Sequence, residues 1–95
     1  MSLEVKSTQD HFKIAAELVK NLSQAPTNNE KLVIYSFYKQ AIDGDNKKSK
    51  PWAYQLTELA KWNSWTNLKG ISCENAKKQY VKIVERMIKK YGLKK

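Results

Sequence analysis

Residues 26–45, PTNNEKLVIYSFYKQAIDGD, decide the fold class. Thr27 follows Pro26 and is followed three positions later by Glu30, so its hydroxyl can accept from the third amide while the carboxylate reaches back, a capping box that opens a helix. That helix is predicted to run to about Ile42, with Gly44 as its stop. Within it Leu32, Tyr35 and Lys39 are spaced by three and four residues, which places them on one helical face. The stripe passes from apolar through aromatic to cationic. Such an order suits a ligand with a greasy end, a flat ring and a phosphate.

Working outward, Phe12, Ala15, Ala16, Val19 and Leu22 recur at steps of three and four and predict a first helix over residues 9–21, ended before Pro26. Residues 1–8 read as a short N-terminal lead, and residues 9–95 as one domain. After the opening stretch, DGDNKKSKPWAY (residues 43–54) is polar and broken by Gly and Pro, so it reads as a connection long enough to cross a bundle. A third helix is expected over residues 55–69, with Leu56, Leu59, Ala60, Trp62 and Leu68 facing inward and Gly70 as its stop. The fourth starts at Ser72 as cap and carries Ala76, Tyr80, Ile83, Val84, Met87 and Tyr91 at helical spacing up to Gly92. No strand-like alternation competes with these readings. The expected class is therefore all-α, a four-helix bundle with one long crossover between the second and third helices.

Composition limits the function classes. Ninety-five residues suffice for one core. A net charge of +9, from 18 Lys and Arg against nine acidic residues, attracts polyanions without choosing among nucleic acid, anionic membrane and a phosphorylated small molecule. Lys47, Lys48 and Lys50, and Lys89, Lys90, Lys94 and Lys95, read as solvated loop and terminal residues. No apolar run reaches membrane-spanning length, and the polar start lacks the apolar core of a secretory signal. A cytoplasmic location is expected. Cys73 is the single cysteine, which excludes an internal disulfide and reads as a small helix residue. His11 stands alone on the exposed side of the first helix, without partners for a metal site or a catalytic base. No paired nucleophile and base and no glycine-rich phosphate loop is present, so the chain is not expected to be an enzyme and no metal or cofactor is expected.

The opening stretch, with AKWNSWTNLKGIS (residues 60–72), the AxxxYVxxV run (residues 76–84) and the terminal KKYG (residues 89–92), closely resembles the acyl-CoA-binding protein family over roughly residues 12–93. The resemblance implies an up-down-down-up bundle with a shallow bowl on one rim. It also implies a carrier of medium- to long-chain fatty acyl-CoA that delivers its ligand to enzymes and membranes, working as a monomer. Tyr35, Tyr38 and Lys39 stand where the family's YxxYKQA motif has its ligand-contacting tyrosines and lysine. Lys61 matches the lysine of AKWxxW, Tyr80 the tyrosine of the fourth helix, and Lys20 the lysine closing FxxAAxxVK. With lower specificity, Ala16, Leu32 and Ala60 match positions near the head group and beneath the acyl chain. Of the two tryptophans in AKWNSW, Trp62 reads as core and Trp65 as the nearer to the ligand.

Two departures from the family pattern stand out. Lys31 occupies a position that is apolar in many members. The segment Trp52, Ala53, Tyr54 replaces the small and aliphatic residues usual after the loop proline, Pro51 here. In an anonymous sequence, Tyr35, Tyr38 and Tyr80 would be read as half-buried packing residues with wet hydroxyls. The competing reading is a basic helical nucleic-acid-binding module, suggested by charge and interleaved aromatics. Arg86 is the only arginine, which weakens that reading because groove readers rely on several.

Overall fold

The computed structural model describes residues 7–94. Four helices are present among them: α1, Thr8–Leu18, continued by one 3-10 turn at Val19–Asn21; α2, Asn28–Asp43; α3, Leu56–Thr66; and α4, Cys73–Tyr91. The expected N-terminal lead lies, up to residue 6, outside the described residues. Its last positions already belong to the helix: Ser7 is the cap, its hydroxyl accepting from Asp10 N–H at 3.2 Å, and Thr8 is the first helical residue.

The remaining starts and stops follow local chemistry. At α2 the capping box closes, with Glu30 N–H donating to Thr27 Oγ1 at 3.1 Å and Thr27 N–H to Glu30 Oε1 at 2.8 Å. At α4 the Ser72 hydroxyl accepts from Asn75 N–H. Gly44 and Gly92 end α2 and α4 with φ of 77° and 75°, where a side chain would be strained.

Contacts between helix ends fix the topology. Ser23 N–H donates to Gly92 O and Lys94 N–H to Asn21 O, so α1 and α4 finish at the same end of the bundle and run parallel. Glu30, at the start of α2, meets Lys90 and Tyr91 at the end of α4, so these two run antiparallel. Gln40 and Gly44, at the end of α2, meet Trp65 at the end of α3, so α2 and α3 run the same way. The order is up-down-down-up. Two parallel neighbours joined in sequence require a crossover, which residues 44–55 provide.

The core is one cluster, Phe12, Ala15, Ala41, Ala76, Tyr80 and Val84, where α1, α2 and α4 meet. Alanines at 41 and 76 keep the backbones close, and Phe12 and Tyr80 fill the space between. α3 is attached differently. Its Trp65 is buried and donates its indole N–H to Gly44 O at 2.8 Å and Gln40 Oε1 at 3.1 Å. Gln40 is itself fully buried, and its amide donates to Ile71 O at 2.7 Å and Asp45 Oδ1 at 2.9 Å. One side chain thus ties together α2, α3 and the turn before α4, with every polar atom satisfied.

Two expectations for α3 are corrected. Trp65, not Trp62, is the core tryptophan; Trp62 is half-buried and donates its indole N–H to Lys48 O at 2.8 Å. Leu56 does not face inward. It is the first residue of α3 and stands exposed beyond the packed part of the helix.

The carboxylates that fasten turns also set the acid limit. The Tyr91 hydroxyl, the Thr27 N–H and the Lys90 ammonium hold Glu30 at about 2 instead of 4.5. Asp45 is likewise held below the usual carboxylate range, first by the Gly70 N–H and then by the Gln40 amide. A carboxyl whose folded value is depressed stabilises fully above its unfolded value and loses that contribution as pH falls through the folded one. Stability should therefore decline below about pH 4.5 and most of this contribution should be gone near pH 2. Glu30→Gln is expected to lower the melting temperature by several degrees at pH 7, and the difference from the unaltered chain should vanish near pH 2, as read by circular dichroism.

Candidate functional site

Because α2 and α3 run side by side in the same direction, their N-terminal halves leave a furrow open to solvent. It has a volume of about 380 Å³, and its walls include Lys31, Leu32 and Tyr35 of α2 and Leu56, Ala60 and Lys61 of α3. Four of the residues singled out in the sequence, Leu32, Tyr35, Ala60 and Lys61, thus line one cleft. The helical period explains their grouping: 32 and 35 are three apart on α2, and on α3 Ala60 and Lys61 follow the other wall residues Leu56 and Thr57 by four. Small Ala60 leaves the floor open beside Leu32.

The cleft ends in phenols and ammonium groups. Lys61 Nζ lies 5.3 Å from the centre of the Tyr35 ring and pairs with Glu58 at 3.6 Å. One turn beyond Tyr35, Lys39 Nζ lies 2.6 Å from Asp43 Oδ2 and 5.0 Å from the centre of the Trp65 ring. Asp43 accepts its hydrogen bond and holds the Lys39 ammonium above the usual range, against partial burial, with the nearby Tyr35 and Tyr38 phenols adding to the effect. Lys39 is therefore a fully charged cation positioned by a carboxylate and an indole face.

On the other flank of α2, Tyr38 stacks on Phe12 of α1 with ring centres 5.5 Å apart and planes 24° from parallel. Tyr80 of α4 lies 5.0 Å from Phe12 and 5.8 Å from Tyr38. Tyr38 keeps much of its ring exposed, whereas Tyr80 is buried. Burial, and then the neighbouring Tyr38, push the Tyr80 phenol up to about 12, so it is a hydroxyl donor at any working pH. Ala16 packs half-buried against the same cluster. Tyr38 and Tyr80 thus form, with Phe12, an aromatic bench where α1, α2 and α4 meet.

Lys20 is the one polar candidate without a contact to the others. It lies on the 3-10 turn after α1, well exposed, with its ammonium 3.4 Å from Glu17. Sequence reasoning missed Leu56 as a wall of the cleft. The signal was available, since Leu56 precedes Ala60 by four.

An apolar furrow running into a row of phenols and fixed cations makes this bundle a binding protein for an anionic amphiphile. The family described as acyl CoA binding protein matches over residues 9–84. An acyl-CoA-binding protein of Dictyostelium discoideum is 46% identical over 81 residues, 85% of this chain and 96% of that protein. The acyl-CoA-binding protein of Saccharomyces cerevisiae is 42% identical over 81 residues, 85% of this chain and 93% of that protein. Among solved structures, the crystal structure of Oryza sativa acyl-CoA-binding protein 2 superposes with a TM-score of 0.84 at 31% identity, covering 88% of this chain and 93% of that one. The solution structure of the yeast protein superposes at 0.69 with 42% identity, covering 85% and 94%. The chain belongs to the acyl-CoA-binding protein family.

Proposed function

We propose that this protein is a non-catalytic carrier that binds medium- to long-chain fatty acyl-CoA, keeps it dispersed and passes it to enzymes and membranes. The observation that carries the reading is juxtaposition: the cleft over Leu32 and Ala60 has Tyr35 and Lys61 in the same walls, and Lys39 follows Tyr35 by one helical turn. An acyl-CoA has the same order of parts, with alkyl chain, then pantetheine, then phosphorylated adenosine.

Phosphate oxygens accept strongly from ammonium groups and phenols, which gives the polar residues their roles. Lys39 and Tyr35 hold the ribose 3′-phosphate, and Lys61 and Lys20 serve the phosphates more generally. The exposed face of Tyr38, backed by Phe12 and Tyr80, offers a stacking surface for adenine; base stacking on an aromatic ring is worth roughly 1–3 kcal/mol. Phosphate must displace Asp43 from Lys39 and Glu58 from Lys61, so the carboxylates hold the cations in place until ligand arrives. The fold holds Lys61 of α3 against Tyr35 of α2 before ligand arrives, which keeps the ordering cost of binding low for that pair.

Calorimetry with palmitoyl-CoA against duplex and single-stranded nucleic acid at physiological salt tests the reading. Binding of the thioester alone is expected, and tight binding of nucleic acid alone would overturn it. The acyl half makes its own prediction. Each methylene removed from water contributes about 0.8 kcal/mol, so each two-carbon step within the cleft should tighten binding roughly tenfold. Ala60→Leu fills the floor and should flatten that dependence while leaving affinity for coenzyme A without an acyl chain nearly unchanged. A length series measured on both forms checks this.

A further inference from the structure

The crossover from α2 to α3 ends in a group of side chains that the cleft does not require. Trp52, Tyr54 and Leu56 are 71%, 79% and 75% exposed. Large apolar side chains are rarely left this open together in one short segment unless something covers them. The segment is nevertheless well fastened. The Trp62 indole holds the carbonyl of Lys48, and Asn46 Nδ2 donates to Thr66 Oγ1 at 3.0 Å. Trp52 N–H donates to Gln55 Oε1 at 3.1 Å, while Gln55 N–H donates to Trp52 O at 2.9 Å. The two rings are thus held outward by a hydrogen-bonded turn.

Charge identifies the occupant. Lys47, Lys48 and Lys50 precede the rings and are exposed, and no acidic residue occurs from Asn46 to Thr57. Trp and Tyr settle at the boundary between headgroups and hydrocarbon because each has an apolar ring and a polar edge. Lysines beside them are drawn to acidic lipid. The rings stand outward at 71% and 79% exposure, which matches a broad surface better than a single peptide side chain. Leu56 belongs both to this exposed row and to the wall of the cleft.

We propose that this loop docks on an anionic bilayer, Trp52 and Tyr54 entering the headgroup layer and the lysines engaging acidic lipids, so that the mouth of the acyl cleft faces the membrane. Docking of this kind rests on the acyl-CoA reading of the cleft for its purpose. It would let an acyl chain pass between bilayer and cleft at Leu56 without crossing open water.

Co-sedimentation of the full chain with vesicles of phosphatidylcholine alone, and with roughly one-third phosphatidylserine, tests it by isolating the charge contribution. The unaltered chain should favour the anionic vesicles about tenfold or more, and lose the preference at high salt. Trp52→Ser with Tyr54→Ser should weaken vesicle binding about tenfold while acyl-CoA affinity in solution, by calorimetry, stays within about twofold. Tryptophan emission should shift to the blue on anionic vesicles, and Trp52→Ser should abolish the shift. Equal binding to neutral and anionic vesicles, or full vesicle binding by the double variant, overturns the proposal. A chain that binds acyl-CoA in solution but ignores vesicles overturns docking alone, whereas vesicle binding without acyl-CoA binding overturns the carrier reading instead.

Discussion

Replacing Lys39 by alanine is expected to weaken acyl-CoA binding by ~2 kcal/mol or more, since hydrogen bonds to charged groups are worth about 1.5–3 kcal/mol. In calorimetry that is roughly a ten- to hundredfold rise in Kd. The fold should survive, because the contacts removed are an ion pair with a partly exposed Asp43 and the approach to the Trp65 ring; pairs of this kind contribute little to stability. Asp43→Asn supplies the complementary measurement. It removes the carboxylate that phosphate must displace and should leave affinity equal or somewhat higher. Lys20→Ala should cost less than Lys39→Ala, because its long exposed side chain must be ordered from solution to reach the ligand. An unchanged affinity in Lys39→Ala would remove Lys39 from the site.

What could be read from the sequence was what lies within about one helical turn. The Thr27 and Glu30 capping box, the stops at Gly44 and Gly92 and the pairing of Leu32 with Tyr35 on one wall are set by local chemistry and spacing, and each is found in the fold; Gly70 is not the stop expected for the third helix, which ends at Thr66 with Asn67 as its cap. The bench of Tyr38 and Tyr80 was legible only through the family resemblance, because its geometry depends on three helices meeting at Phe12. Trp62 was assigned to the core in place of Trp65 for a related reason. Trp62 and Trp65 are three residues apart on an amphipathic helix, and periodicity alone ranks them equally. The choice is made by Gly44 and Gln40, which lie 21 and 25 residues away in the chain. Gln40 itself sits inside the family's own motif between Lys39 and Ala41, and its amide is a structural tie that no local rule reveals.

The assignment of Trp65 as the link between α2 and α3 leads to the largest expected loss of stability. Trp65→Ala removes a side chain that is 3% exposed, and truncations of buried aromatics cost about 3–5 kcal/mol. It also leaves the Gly44 carbonyl and Gln40 Oε1 without their donor. Trp65→Phe separates the two contributions: most of the ring volume remains and only the N–H is lost, so a penalty of about 1–3 kcal/mol from unsatisfied acceptors is expected. Denaturant unfolding followed by circular dichroism reads both values, and a Phe variant as unstable as the Ala variant would place the whole effect in the hydrogen bonds. The same pair reports on function. The walls of the cleft belong to α2 and α3, and Trp65, Gln40 and the crossover anchors fasten those helices to each other. Where the Phe variant remains folded, its acyl-chain-length dependence should weaken more than its affinity for the coenzyme A head, because a loosened α3 disturbs the furrow while Tyr38 and Tyr80 keep their supports on α1, α2 and α4 and Lys39 keeps its ion pair with Asp43.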